Sequence, residues 1–197
     1  MVDTLNDQLR KGGSIPTPTL QDCSVIAYPL FYTENNISPT SPLQFELGIV
    51  PTPKAKELNK KWHSRLPDFP AFDANLCHTL IYDGRYYAVA IWSHPISRHL
   101  PKTYLELRRM AICSNAPKNT ASRFIKLMIL DIRKRMPDIT TVVSYQDTLV
   151  HLGTIYKASG WKQAAESKGP NWKTKWPYHQ RNEYQADSPK IRWEKDI

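Results

Sequence analysis

The stretch from Tyr104 to Trp161 constrains the fold more than any other part of the chain. It opens with a strand-like run, Tyr104 to Cys113, and continues through a polar loop without glycine, Ser114 to Asn119. A helix is predicted from Thr120 to Met136, because Ile125, Met128, Ile129, Ile132 and Met136 recur at helical spacing and share one stripe. Arg123, Lys126, Arg133, Lys134 and Arg135 fall elsewhere on its surface. The β-rich run from Thr140 to Tyr145 predicts the next strand, followed by the polar cluster Ser144, Tyr145, Gln146, Asp147 and Thr148. A strand feeding a polar loop at a helix N-terminus suits phosphate, since the first amides there are free and the helix dipole is positive. Polar side chains at a strand's carboxyl end lie where open α/β sheets bind ligands. The combination predicts an enzyme with a phosphorylated co-substrate.

The remaining segments supply the frame. Residues 1–42 are rich in Pro, Thr, Ser and Asn, with one short apolar run from Ser24 to Tyr32, and read as an irregular arm with at most one edge strand. Leu43, Phe45, Leu47 and Ile49 alternate, which predicts a half-buried strand. Thr52 as N-cap and Pro53 at the first helical position then start a helix. It would bury Ala55, Leu58, Trp62 and Leu66, turn Lys54, Lys56, Lys60, Lys61 and Arg65 to the other face, and end at Pro67. Cys77 to Tyr82 and Arg85 to Trp92 flank Asp83-Gly84, a strong hairpin signal. His151 is expected to open a short helix carrying Tyr156, and after Trp161 the chain turns polar. This order predicts a mixed sheet with helices on its faces. The domain boundaries expected are an arm over 1–42, a catalytic domain over 43–176, and a tail over 177–197 packed on or extending from it.

Composition narrows the class of function. A net charge of +9 favours polyanions, nucleic acid first and phosphorylated cofactors second. Cys23, Cys77 and Cys113 are odd in number and widely spaced, which argues against a disulfide framework or a closed zinc site. Cys77 and Cys113 sit in apolar runs and read as small core residues. No apolar run approaches the ~20 residues of a membrane span, and the first residues lack signal-peptide character, so a cytoplasmic protein is expected.

Four constellations could carry chemistry. In the loop and helix start, Lys118 and Arg123 add charge to free amides, although Asn119 or Thr120 would serve equally as a plain cap. Tyr156 could donate a proton to a leaving thiolate or orient a substrate, or simply pack in the core. His63 or His151 with Asp147 could form a base–carboxylate pair or an open metal site, or be ordinary surface and capping residues. In the tail, Trp172, Lys173, Lys175 and Trp176 interleave aromatics with cations, which suits base stacking with phosphate contact, or a sheet cover with solvated lysines.

The order of elements resembles the GNAT (Gcn5-related N-acetyltransferase) fold. The segments Trp62-His63-Ser64-Arg65-Leu66-Pro67, Ser93-His94-Pro95-Ile96-Ser97-Arg98, Leu105-Glu106-Leu107-Arg108-Arg109-Met110 and Val143-Ser144-Tyr145-Gln146-Asp147-Thr148 resemble the Mom family of phage DNA-modification proteins. So does the block from His151 through Gly153-Thr154-Ile155-Tyr156 to Gly160-Trp161. The resemblance runs from about Phe45 to Trp176 and implies an α/β (α+β) fold with a GNAT-like, mostly antiparallel sheet. It further implies conversion of adenine in DNA to an N6-carbamoylmethyl derivative, which shields phage DNA from host restriction. Asp147, Tyr156, His63 and Ser144 would be the catalytic set. Met110, Ala111 and Ile112 would hold a coenzyme A pantetheine by their backbone, and Lys118, Asn119, Thr120, Ala121, Ser122 and Arg123 its pyrophosphate. Acetyl-CoA or a related CoA species is thus the expected cofactor, with a metal such as iron as a further requirement to test. The family fold's usual pyrophosphate loop carries glycines, and Asn115 to Ser122 has none. Double-stranded DNA would be the partner, contacted by Arg98, Trp172, Lys173 and Lys175, with no membrane and with a homodimer as an admissible assembly. The host bacterial cytoplasm would be the location. The rival readings are an ordinary acetyl-CoA-dependent N-acetyltransferase acting on a small amine or protein, and a catalytically idle nucleic-acid-binding module.

Overall fold

The computed structural model describes residues 38–69, 74–167 and 188–197. One turn of 3-10 helix, Pro42–Gln44, precedes β1 (Glu46–Ile49), α1 (Thr52–Trp62), β2 (Leu76–Tyr82), β3 (Arg85–Ser93) and β4 (Tyr104–Ile112). Then come α2 (Thr120–Arg135), β5 (Thr141–Asp147), α3 (Thr154–Ala158), β6 (Lys162–Ser167) and β7 (Lys190–Asp196). The strands form one sheet in the order β1-β2-β3-β4-β5-β7-β6. Only β4 and β5 run parallel, joined by the crossover helix α2 that such a pair requires.

The hairpin between β2 and β3 turns on Asp83 and Gly84, both at positive φ (47° and 68°), the geometry that matches strand twist. Helix α1 covers one face of the sheet, packing Ala55 and Leu58 on Val89, Ile91 and Ala111. Helix α2 covers the other, and its Phe124, Ile125, Met128, Ile129 and Ile132 meet Leu80, Trp92, Leu105 and Val142. The stripe expected from periodicity is the buried stripe.

Several expected boundaries shift. Helix α1 begins one residue earlier, with Pro51 at the N-cap and Pro53 second, and stops at Trp62 instead of reaching Pro67. The reason is local. His63 takes an extended conformation and its Nδ1 accepts from Leu66 N at 3.2 Å, while Asn59 Nδ2 donates to the carbonyls of Leu66 and Pro67. Side chains thus fold residues 63–67 back against the helix end. The alternation from Leu43 becomes a strand only at Glu46, because Ser41 and Gln44 form a capping box around Pro42. The short helix starts at Thr154, with His151 in the loop before it. The polar segment after Trp161 contains two strands, and β7 lies inside the sheet between β5 and β6. Cys77 and Cys113 are buried thiols outside any disulfide. Cys23 and the run from Ser24 to Tyr32 lie outside the described residues.

Candidate active site

Pairing between β4 and β5 stops at Leu107 and Ser144, although β4 continues to Ile112 and β5 to Asp147. Beyond that point β4 keeps its ladder with β3 and β5 its ladder with β7. The sheet therefore opens into a gap with Ser144 at its apex and residues 108–112 and 145–147 as its walls. Backbone groups on these facing edges lack a strand partner, so an extended, amide-bearing ligand can pair with them.

A bulge shapes one wall. Trp92 pairs with Leu107 and Ile91 with Arg109, which leaves Arg108 unopposed. The extra residue inverts the alternation, so Leu105 and Leu107 enter the α2 core while Ala111 turns to the α1 side, where Arg109 lies over Phe69.

The α3 side of the gap is a closed hydrogen-bonded and aromatic assembly. Tyr156 is buried; its ring stacks on Trp193 at 5.5 Å and meets Trp161 edge-on at 5.4 Å. Ser144 Oγ donates to Leu107 O at 3.2 Å and lies 2.9 Å from Tyr156 OH. A hydroxyl has one proton, so Tyr156 is the donor to Ser144. Burial pushes the Tyr156 phenol up, against a smaller opposing effect of Ser144, and it stays protonated. Trp193 Nε1 donates to Gln146 Oε1 at 2.7 Å, and Gln146 Nε2 donates to His151 O. Gly153 closes the turn at φ 72°, where a Cβ would stand 2.5 Å from Gln146 Oε1 and 2.9 Å from Trp193 Cζ2.

The α1 side is polar, with two guanidinium groups. His63, Arg65, Arg109, His151 and Asp147 converge there. Burial, then Arg109, His151 and Arg65, push the His63 pKa down, so the ring is neutral near pH 7. With Nδ1 accepting from Leu66 N, its proton resides on Nε2. His63 in this state presents a donor to the site, while Asp147 presents carboxyl oxygens. Asp147 Oδ1 accepts from Leu149 N at 3.0 Å and Oδ2 from Ser188 Oγ at 2.9 Å, with Arg65 Nη1 3.8 Å away. Arg65, read from sequence as part of the basic face of α1, and Arg109, quoted there within a family segment but given no role, join the site because α1 ends early and β4 is bulged. Glu106 is a further buried group: burial pushes its carboxyl up, against Arg108 at 2.9 Å.

The expected catalytic residues thus divide between two faces of β5, Ser144 and Tyr156 on one and Asp147 and His63 on the other, separated by the gap. Of the expected cofactor residues, Met110, Ala111 and Ile112 lie on the free edge of β4. Asn119, Ser122 and Arg123 line a groove of about 550 Å³ with Lys126, Ile129, Arg133, Ser159 and Lys195. Lys118, Thr120 and Ala121 do not line it. Asn119 adopts φ 67°, the left-handed conformation for which glycine would otherwise be used. Among the described residues, the amides of Ala121 and Ser122 have no backbone partner and the buried Arg123 Nε has no hydrogen-bond partner. A guanidinium with one unpaired nitrogen among the described residues, beside the free helix amides, fits a phosphate-bearing cofactor. No three His, Cys, Asp or Glu side chains among the described residues are arranged to hold a metal ion. Arg98 is exposed on the β3–β4 loop, while Trp172, Lys173 and Lys175 lie outside the described residues. No helix among the described residues is long and apolar enough to cross a membrane.

Residues 44–195 match the Mom protein family. The chain belongs to this family. No curated protein matches it in sequence. Among solved structures, this Mom family member is similar to the ribosomal-protein-S18-alanine N-acetyltransferase of Escherichia coli, at 14% identity over 78% of this chain and 94% of that one, with a TM-score of 0.52. It is also similar to a Bacillus subtilis acetyltransferase in complex with CoA (15% identity, 78% and 98% covered, TM-score 0.51). A GNAT-family acetyltransferase of Streptococcus pneumoniae gives 10% identity, 78% and 99% coverage and a TM-score of 0.52. The fold is therefore the GNAT fold.

Proposed function

We propose that this chain is a transferase that modifies N6 of adenine in DNA, giving the N6-carbamoylmethyl derivative and shielding that DNA from restriction. The observation that carries the reading is the two-sided gap: a carboxylate with cations on the α1 side and a protonated tyrosine on the α3 side. An acceptor and a donor can then approach from opposite faces and meet where β4 and β5 part. A bound CoA species would supply an activated carbon and a thiolate leaving group. The backbone of Met110 to Ile112 would hold its extended arm, and Arg123 with the amides of Ala121 and Ser122 its phosphates.

The N6 amino group is a weak nucleophile because its lone pair is delocalised into the ring. It also lies inside the duplex, so the base must be extruded to reach the gap. Asp147 would take the N6 proton as the new bond forms, and the cations Arg65 and Arg109 would offset charge on the acceptor side. Tyr156 would give its proton to the departing group, with Ser144 relaying hydrogen bonding to Leu107 O. His63 Nε2–H would orient the base by donation. Arg98 would hold phosphate, and with net charge +9 the affinity should fall steeply with salt. The product's new bond joins N6 to a methylene, so the step balances with a donor whose sulfur is carried on that methylene. N6–CH2 would form as S–CH2 breaks, the N6 proton passing to Asp147 and the Tyr156 proton to the departing sulfur, which a plain acetyl thioester does not allow.

Mass spectrometry of nucleosides from the DNA of cells expressing the chain tests this directly. Modified adenine is expected with the wild type and should be abolished in Tyr156→Phe, with DNA binding retained. Acetylation of small amines with unaltered DNA would replace this reading with the ordinary acetyltransferase one.

A further inference from the structure

The loop between β5 and α3 presents apolar side chains to solvent on an ordered backbone. Leu149 is 76% and Leu152 87% exposed, with Val150 also exposed between them. Single exposed leucines are ordinary, but three aliphatic residues within four positions form a contiguous apolar tip. The backbone beneath the tip is held firmly. Leu149 N donates to Asp147 Oδ1, and both Val150 N and His151 N donate to Asp147 O, at 3.0, 3.3 and 3.0 Å. Thr148 N and Oγ1 both bond Pro189 O, at 3.1 and 3.0 Å, and Gln146 Nε2 caps His151 O. Gly153 then turns the chain into α3 at a position with no room for a side chain.

This rigid tip starts two residues after Asp147, and the carboxylate that fixes it is the proposed proton acceptor. Resting on the function proposed above, we infer that Leu149 and Leu152 form a wedge that enters the duplex and fills the space left by the extruded adenine. An extruded base leaves a flat-walled, apolar vacancy between neighbouring base pairs, and aliphatic side chains are the groups that occupy such steps. Arg65 beside the loop base and the +9 charge of the chain favour a polyanion at this rim over a basic protein surface. The wedge does no chemistry. It holds the duplex open while the base occupies the gap, and the loop's ordering has already been met by folding.

The test compares native and heat-denatured linear plasmid of one sequence as substrates, with clarified lysate of expressing cells as the source of donor, read by nucleoside mass spectrometry. Wild type should modify both. Leu149→Ser with Leu152→Ser should lower modification of the native duplex by about tenfold or more while leaving the denatured strands near wild type, because only the duplex requires extrusion. Leu149→Met with Leu152→Met should restore duplex modification. Equal modification of the duplex by wild type and the serine variant overturns the wedge. An equal fall on both substrates also overturns it, since the leucines would then serve folding or the base pocket. Self-association of the wild type that the serine variant abolishes, seen by sedimentation, overturns it in favour of a second copy of the chain as occupant. No modification of either substrate by wild type removes the underlying function and the wedge together.

Discussion

The two sides of the β4–β5 gap are built in opposite ways. On the α3 side the Tyr156 hydroxyl, Ser144 Oγ and Leu107 O form one continuous hydrogen-bonded chain, and Trp161 and Trp193 exclude water around the phenol. On the α1 side charged groups of both signs gather with few mutual bonds, and the Arg65–Asp147 contact at 3.8 Å is half-exposed and worth little as an isolated ion pair. The first arrangement fixes one proton in one place. The second keeps charge available to whatever enters. A donor that always has the same shape suits the rigid side, and a base delivered from DNA suits the open one.

The sharpest way to break this contrast is at Asp147. Asp147→Asn keeps the shape but removes the proton acceptor, and should lower adenine modification by about a hundredfold to ten-thousandfold. Unchanged product by nucleoside mass spectrometry would show that the α1 side does not act in proton transfer. Trp193→Ala strikes the other side alone. It removes the stack on Tyr156 and the bond to Gln146, and chemical denaturation should show a loss of about 3–5 kcal/mol. A loss below about 1 kcal/mol would mean that the aromatic assembly is not a rigid unit.

Gly153→Ala sharpens the same point at the turn. Its positive φ and the missing space beside Gln146 and Trp193 predict a loss of about 2 kcal/mol or more in urea unfolding. A pH titration of stability separates the histidines from the phenol. Burial comes first in lowering the pKa of both His63 and His78, the latter against its bond to Asp131. The unfolded chain therefore takes up protons first as pH falls below the ordinary value of 6.5, so stability should decline from there and level off below the folded-state pKa values. A flat profile between pH 7.5 and 5.5 by thermal unfolding would contradict the assigned directions. The smallest effect is expected at Asn119→Gly, which relieves the left-handed backbone at φ 67° and should change stability by less than about 1 kcal/mol.

Much of this was legible in residue order. The stripe on α2 and the Asp83-Gly84 turn are local signals, and local signals survive translation into structure. The polar end of β5 was legible for the same reason, since Ser144, Asp147 and Tyr156 are close in sequence. What escaped depends on distant pairing. In β7 only Ile191 and Trp193 alternate among charged residues, and all of β6 is exposed, so neither segment showed a strand pattern. Arg109 escaped because the bulge at Arg108 reverses which face it serves. Arg65 escaped because a histidine bond, not Pro67, ends α1.

The placement of β7 carries one more consequence. Residues 145–147 have no ladder on the gap side, so their backbone is secured on one edge only, by residues 190–192. A nascent chain that has reached Asp147 therefore holds that carboxylate on a ribbon with two bare flanks, a shape prone to pairing with strangers. Damage confined to residues 190–192 would unseat the proposed site as thoroughly as a lesion in β5 itself.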